Sequence, residues 1–237
     1  MNLLVFDVVG KMAHFRNIAS NSSSLTYIFP PPTTIYGILA CILGIPRNAY
    51  YLKLNPQTTF LSVGIMKPYR KLVQTLNYRE TFECNNYYTQ IPFEVLIPDR
   101  HSENLCYRIY VSMQDRDMYS HLRELLETER TLIPVSLGTA NFIAKSNYVG
   151  EFSVTEIPRE RVIGVSSVVN LENSRVLGFE GHVKVVTESM RYSFSAGRSP
   201  GRMVTLSYVQ CGKIKLKNDN RFFDITIDNN QTIICKL

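Results

Sequence analysis

Residues 11–44 read KMAHFRNIASNSSSLTYIFPPPTTIYGILACILG, and this stretch decides the fold of the first part of the chain. It follows the apolar run Leu3–Val9, LLVFDVV, which Gly10 ends. Such β-branched and aromatic runs are typical of buried strands, and this one is too short to cross a membrane. The sequence therefore predicts a central strand that leads into a polar loop.

The polar loop carries short hydrogen-bond donors and one guanidinium group. The candidate RNA-binding residues here are Lys11, His14, Arg16, Asn17, Ser22, Ser23 and Ser24. These side chains suit a phosphate backbone better than an apolar ligand. An ordinary polar surface turn would have the same composition, and that alternative stays open at this point.

A helix is predicted directly after the loop. Pro30–Pro32 suit a first helical turn, and the hydroxyls of Thr33 and Thr34 are expected to cap its free amides. Ile35–Leu43 is almost entirely apolar, which indicates a helix buried nearly all round, and Gly44 is a plausible C′ residue. A loop held between a central strand and a buried helix is expected to form a first contact surface.

Composition argues against a membrane-spanning protein and against a metal site built from cysteines. With 237 residues and 45% apolar residues, the chain can build a sizeable core, as one large domain or as a core with a smaller second unit. No leader and no apolar run of ~20 residues is visible, so we expect a cytoplasmic protein with no membrane contact. The five scattered cysteines form no C-x-x-C pair, which predicts free thiols and no bound metal or other cofactor.

Positive charge is concentrated in the first third of the chain. Residues 1–79 contain eight Lys or Arg and one acid, Asp7, giving +7, whereas residues 80–237 contain eighteen basic and nineteen acidic residues, giving −1. A solvated face usually mixes both signs. The asymmetry therefore favours a polyanionic partner, and nucleic acid in preference to an anionic membrane.

A second basic stretch, Lys67–Arg79, reads KPYRKLVQTLNYR and contains no acid. Its candidate RNA-binding residues are Lys67, Tyr69, Arg70, Lys71, Asn77, Tyr78 and Arg79. Aromatic rings among basic side chains suit unpaired bases and their phosphates, which predicts a projecting hairpin that inserts into RNA. The alternative is an exposed hairpin whose tyrosines pack on the core.

The order of elements indicates an α+β protein with a ferredoxin-like N-terminal domain. A βαββαβ pattern runs to about residue 147, with a long hairpin at about 67–90. The predicted elements after the first strand and helix are strands at Thr58–Met66, Ile91–Ile97 and Leu105–Met113, and a second helix around Met118–Leu126 capped by Asp117 or Ser120. The two helices are expected to cover one face of the sheet.

Residues 148–237 are expected to form a small C-terminal β-rich domain. The predicted strands are Val162–Val169, Val183–Glu188, Thr205–Gln210 and a closing hairpin, FFDITI-DNNQ-TIICKL. The loop Ser195–Arg202, SAGRSPGR, adds two basic candidates, Arg198 and Arg202.

No catalytic motif stands in a supporting context, and the four histidines lie in four different segments. His14 beside Lys11 is the one candidate for a general base in metal-independent RNA cleavage. Because no second positioned acid or base is visible, we favour a histidine that hydrogen-bonds its loop or stacks on RNA.

The run from Lys11 to Tyr51 and the later stretch PVSLGTANFIAK resemble the CRISPR-associated RAMP protein of the fifth Cas family, as found in type I-B interference (Cascade) complexes. The resemblance implies the RRM-like domain, the thumb and the C-terminal β domain. It also implies an antiviral ribonucleoprotein subunit that binds the 5′ handle of the crRNA and caps the backbone filament. Its expected partners are the neighbouring backbone subunit, the large PAM-reading subunit and target DNA within the complex.

On this analogy Lys67–Arg79 is the thumb, and Arg16, Asn17 and Ser22–Ser24 contact the handle. A relative in the I-C branch is itself an endoribonuclease that processes pre-crRNA. Three hypotheses follow: a non-catalytic RNA-binding subunit, which we favour, a metal-independent endoribonuclease using His14 with Lys11, and a protein-only assembly scaffold that docks an acidic partner.

Overall fold

The structure is a computed structural model, and it describes residues 1–79, 88–158, 162–172, 175–181, 184–210, 212–217 and 222–237. The first part contains the helices α1 (Pro32–Leu43) and α2 (Arg116–Glu127) and the strands β1 (Asn2–Gly10), β2 (Phe15–Arg16), β3 (Thr26–Tyr27), β4 (Thr59–Ile65), β5 (Tyr69–Arg79), β6 (Tyr88–Pro98), β7 (Leu105–Met113) and β8 (Ala144–Ser153). The second part contains the strands β9 (Thr155–Glu156), β10 (Val162–Val165), β11 (Val169–Asn170), β12 (Arg175–Glu180), β13 (Lys184–Arg191), β14 (Met203–Gln210), β15 (Lys213–Lys217), β16 (Phe222–Ile227) and β17 (Asn230–Cys235). No helix within the described residues is long and apolar enough to cross a membrane.

A four-stranded antiparallel sheet with the order β4-β7-β1-β8 forms the centre of the molecule. The strand β1 lies inside this sheet, which confirms the prediction of a central strand. The predicted domain boundary between residues 147 and 148 falls within β8, where Asn147 pairs with Asp7 and Tyr148 with Phe6. The strand β8 therefore runs across the predicted boundary.

Side chains of β1 alternate between two cores on opposite faces of the sheet. Leu4, Phe6 and Val8 belong to the main core, which includes both helices and also side chains from β13 and β14. Leu3 and Val5 face the hairpin β16–β17 instead. Both faces of the sheet are therefore covered, one of them with the help of the C-terminal β-rich segment.

The helix α1 begins and ends close to the predicted residues, but its first turn differs from the expectation. Pro31 is the N-cap residue, and no side chain caps the turn, so the hydroxyls of Thr33 and Thr34 do not serve as caps. At the other end Gly44 has a left-handed conformation (φ 68°), and its N–H bonds the carbonyls of Ala40 and Cys41. That C-terminal cap confirms the prediction made from the glycine.

The helix α2 presents Tyr119, Leu122, Leu125 and Leu126 to the core. Its N-cap is Asp115, whose carboxylate accepts a hydrogen bond of 3.0 Å from the backbone N–H of Met118. The predicted caps, at 117 and 120, lie inside the helix. The spacing of the apolar residues therefore predicted the helix correctly, but the N-cap lies two residues before the nearer of the two predicted caps.

The hairpin β5–β6 pairs two eleven-residue strands and leaves the side chains of residues 70–78 exposed. Its base is attached to the body through bridges from Leu96 to Ala13 and from Phe93 to Ser24. The predicted tip of the thumb, residues 80–87, lies outside the described residues, as does the side chain of Arg79.

The C-terminal segment departs from the prediction in its number of strands. The predicted strand Val162–Val169 is two strands, β10 and β11, and β12 and β15 were missed because RVLGFE and KIKLK lack a long apolar run. The closing hairpin is confirmed. Its two-residue turn, Asp228 and Asn229, has positive φ values of 48° and 62°, as a type I′ turn requires.

Candidate nucleic-acid interface

The two stretches that carry the family resemblance meet inside the molecule. The backbone N–H of His14 donates to the carbonyl of Leu137 at 3.0 Å, which brings the loop at 136–143 against the first loop. Gly138 has φ +95°, and a Cβ atom there would lie 1.8 Å from the carbonyl oxygen of His14. Only glycine permits this approach. We call His14, Ser24, Glu94 and Gly138 the motif junction.

His14 is buried within the motif junction, with 4% of its surface exposed. Its Nδ1 lies 2.7 Å from the carbonyl oxygen of Glu94, so Nδ1 carries the proton and donates. The other nitrogen, Nε2, then accepts from the hydroxyl of Ser24 at 3.1 Å, and the ring stacks on Phe93 at 4.2 Å. Burial, followed by the nearby charge of Arg16, lowers the pKa of His14 and favours the neutral ring.

Glu94 ties three elements together below the hairpin. One carboxylate oxygen accepts from the backbone N–H of Thr26 at 2.9 Å and from the ammonium of Lys71 at 3.1 Å. Lys71 also donates to the carbonyl of Thr26 at 3.2 Å. These contacts fix the base of the hairpin β5–β6 against β3.

A cleft of about 780 Å³ opens above the motif junction. Its walls are formed by the first loop, one side of α1, the hairpin β5–β6 through Tyr78 and Phe93, the loop at 133–139 and the segment 191–198. Four of the lining residues are arginines, which we call the arginine wall: Arg16, Arg47, Arg191 and Arg198. Among the described residues that line the cleft there is no aspartate or glutamate.

The chemistry of the cleft suits an extended polyanion with unstacked rings. Its aromatic lining residues are Phe15, Tyr27, Tyr50, Tyr78, Phe93 and Phe194. Thr33 and Thr34, in the uncapped first turn of α1, also face it, so the positive end of the helix dipole points toward the same space. Cationic side chains hold phosphates, and partly exposed rings stack on bases.

The structure brings five of the predicted site residues to the cleft. These are His14, Arg16, Ser24, Tyr78 and Arg198. Tyr78 is 48% exposed and has a ring available to a base. His14 and Ser24 are buried and hydrogen-bonded to each other, so they form its floor.

The other predicted residues whose side chains the structure describes lie outside the cleft; the side chain of Arg79 is not among them. Lys11, Asn17, Ser22, Ser23, Lys67, Arg70 and Asn77 are exposed or half-buried outside the cleft. Tyr69, expected to stack on bases, is 8% exposed and packs in the main core, because it opens β5 where the strand leaves the body. Lys71 is paired with Glu94, and Arg202 is paired with Glu172 at 3.1 Å and lies 4.7 Å from the centre of the Tyr192 ring.

The geometry of His14 and Lys11 matches the structural interpretation of the histidine better than the catalytic one. Both ring nitrogens of His14 are engaged inside the protein, and the ammonium of Lys11 donates to the carbonyl of Glu103 at 3.2 Å. Within the described ranges no cluster of three or more His, Cys, Asp or Glu residues could hold a metal ion.

Sequence reasoning missed Arg47, Arg191, Tyr50 and Phe194. Tyr50 stands beside Tyr51, and Arg191 and Phe194 stand in the basic and aromatic run RYSFSAGR, so these two segments carried a signal that was not used. Only the fold shows that all four residues line one cleft. The short stretch Ile45–Tyr50 carried one signal, since it closes the long run that shows the family resemblance.

Comparison with known proteins agrees with this architecture. Residues 3–87 match a family model described as "CRISPR-associated protein (Cas_Cas5)". A CRISPR protein from Archaeoglobus fulgidus has a similar fold, with 12% identity, 100% of both chains covered and a TM-score of 0.61. A chain of a structure described as a CRISPR RNA-guided surveillance complex has 11% identity, with 90% of this chain and 91% of that chain covered and a TM-score of 0.51. No curated protein sequence matches the chain.

The matched residues 3–87 contain β1, the first loop, α1, β4 and β5, and they supply two of the four arginines of the cleft. The structural similarities extend over the remaining residues and concern the fold. The sequence match therefore covers the first part of the chain, and the solved structures show that the chain as a whole shares their fold.

Proposed function

We propose that this chain is a non-catalytic RNA-binding subunit of a type I, and specifically I-B, CRISPR interference complex, and that its cleft binds the 5′ handle of the crRNA. Its place at the end of the backbone filament, next to the large subunit, follows from the family resemblance. The protein acts in the cytoplasm as part of antiviral defence.

One observation carries the proposal: four arginines line a single cleft in which the described residues place no carboxylate. A lining that mixed both signs would fit a solvated groove. A lining of one sign beside partly exposed aromatic rings fits single-stranded RNA, whose phosphates and unstacked bases need both kinds of contact.

The proposal includes a ferredoxin-like N-terminal domain with the hairpin β5–β6 as its thumb. The sheet order β4-β7-β1-β8, with one helix between β1 and β4 and another between β7 and β8, supports it. Exposed side chains on both faces of β5 suit a hairpin that reaches a partner, because nothing in the described body covers them.

The test is binding of the purified protein to repeat-derived RNA, a scrambled RNA and duplex DNA of the same sequence, over a salt series in EDTA. We expect preference for the repeat RNA. The variants Arg47→Ala and Arg191→Ala should each weaken that binding and flatten its salt dependence. Arg175→Ala is the matched control, since Arg175 is an exposed arginine of β12 outside the cleft.

The RNA is recovered and run on a denaturing gel after binding. A discrete cut in EDTA would favour the endoribonuclease hypothesis. Equal affinity for repeat and scrambled RNA, unchanged in the cleft variants, would contradict handle recognition and leave a basic assembly surface.

A further inference from the structure

The segment 191–202 projects a folded loop into the cleft wall. The loop is closed by hydrogen bonds of 3.0 Å from the N–H of Tyr192 to the carbonyl of Arg202 and from the N–H of Gly201 to that of Ser193. At its tip Gly197 and Arg198 have φ values of 68° and 61°. A left-handed conformation is free for glycine but costs an arginine about 1 kcal/mol or more.

This strained tip places one cation beside one aromatic ring. The guanidinium of Arg198 lies 5.7 Å from the centre of the Phe194 ring, and both side chains line the cleft. Arg198 is exposed and has no acidic partner among the described residues. The conformational cost is therefore not offset by an ion pair within the described protein.

Phe194 belongs to an aromatic group that reaches across to α1. Its ring meets Tyr51 edge-on at 5.6 Å, and Tyr51 contacts Tyr50 at 4.3 Å. Tyr50 lines the cleft opposite Gly37 of α1, where a Cβ atom would lie 3.5 Å from the tyrosine hydroxyl. Tyr51 is buried and supports the two half-buried rings from behind, so their positions are fixed before any ligand arrives.

A second polar feature lies on the same cleft. The hydroxyl oxygen of Thr139 is buried and has no hydrogen-bond partner among the described residues. Burying an unpartnered hydroxyl costs free energy, and a ligand with polar edges can supply the missing bond. A nucleobase has such edges as well as a face for stacking.

We propose that the part of the cleft bounded by Phe194 and Tyr50 holds one unstacked nucleobase of the bound RNA, with the base on the Phe194 ring and its phosphate beside Arg198. This inference rests on the proposed function and adds to it a base-stacking subsite made by the C-terminal segment. The subsite contacts the base itself, which the phosphate contacts of the arginine wall do not.

The test combines abasic scanning of the repeat RNA with three variants. Phe194→Leu keeps the apolar bulk and removes the ring, Phe194→Tyr keeps the ring, and Phe179→Leu is the control because Phe179 is an exposed aromatic of β12 outside the cleft. In the wild-type protein one abasic position should weaken binding about 5- to 100-fold. In Phe194→Leu the same abasic change should cost less than about twofold, because the stacking is already lost.

Phe194→Tyr and Phe179→Leu should keep the wild-type profile. The inference is overturned if the wild-type protein prefers the repeat RNA but each abasic position weakens binding by Phe194→Leu as much as it weakens binding by wild type. The proposed function itself fails if the wild-type protein shows no such preference, so the two failures are distinguishable. Thermal melting of each variant shows that it is folded before binding is measured.

Discussion

The motif junction and the arginine wall line the same cleft, yet they differ in how their polar groups are satisfied. In the motif junction the buried groups of His14, Ser24 and Glu94 bond one another or the backbone. The arginines of the wall have no acidic partner among the described residues. The difference separates a floor that holds the cleft in shape from a wall that is available to a ligand, and it predicts that stability and binding respond to different mutations.

Gly138→Ala should give the largest effect, on stability. The new methyl group would overlap the carbonyl oxygen of His14, at 1.8 Å, and φ +95° is unfavourable for alanine, so the two loops must separate. We expect the free energy of unfolding to fall by at least ~3 kcal/mol, measured by urea denaturation. Gly178→Ala is the control, because a Cβ atom there meets nothing within 4 Å. Equal stability of the two variants would mean that the loops do not meet as described.

Glu94→Ala should come second. It leaves the N–H of Thr26 without its acceptor in a buried position, which costs about 2 kcal/mol of unfolding free energy. Lys71→Ala removes the ion pair but not that acceptor, and Lys71 is 37% exposed, so its loss should cost under ~1 kcal/mol. If Lys71→Ala lowers the free energy of unfolding more than Glu94→Ala does, Glu94 stabilises the protein through its ion pair with Lys71 and not through the hydrogen bond from Thr26.

Periodicity and turn chemistry predicted the framework of the fold but only part of the cleft. The central strand, α1 and the closing hairpin follow from local patterns at Leu3–Val9, Ile35–Leu43 and Asp228–Asn229. The basic first third of the chain contains both Arg16 and Arg47, yet only Arg16 lies in the polar loop that was taken as a binding segment. The sequence did not show that Arg47 and Arg191 lie beside Arg16, because that cluster forms only through tertiary contacts.

The fate of the basic hairpin shows the same limit. Lys67–Arg79 was expected to act as one RNA-binding surface, yet Tyr69 is buried and Lys71 is paired with Glu94. Among the side chains of this stretch that the structure describes, only Tyr78 lines the cleft. Composition identifies an exposed basic strand, whereas the attachment of the hairpin at its base decides which side chains remain free. The two segments that carry the family resemblance meet where Gly138 lies against the carbonyl of His14, a contact between residues far apart in the sequence.

Arg16→Ala should change RNA binding and leave stability intact. If Arg16 contacts one phosphate, its loss should lower the slope of log K against log salt by about 0.7. Its side chain is exposed, so the free energy of unfolding should stay within about 0.5 kcal/mol of wild type. Lys71→Ala is the matched control: its charge is already neutralised by Glu94, so the slope should not change. If Arg16→Ala and Lys71→Ala change the salt slope equally, the arginine wall is no more available to RNA than the side chains paired near the motif junction.

The smallest effect concerns the pH dependence of stability. Because burial lowers the pKa of His14 below its unfolded value near 6.5, the neutral ring stabilises the fold above pH ~6.5. This contribution is lost as the pH falls through the folded pKa, since the unfolded chain then binds the proton more readily. Half-buried Glu188 acts in the opposite direction, because its partial burial raises its pKa and its protonated form favours the fold as the pH falls.

Only a comparison of variants therefore separates the contribution of His14 to the pH dependence of stability from that of Glu188. His14→Gln should lose less unfolding free energy than wild type between pH 7.5 and 5.5, because it lacks the ring whose pKa burial lowers. His121→Gln, which replaces an exposed histidine of α2, is the control for a general loss of one imidazole. If wild type and His14→Gln lose stability in parallel, the neutral ring does not hold the motif junction together, and the cleft floor would need a different explanation from the hydrogen bonds to Glu94 and Ser24.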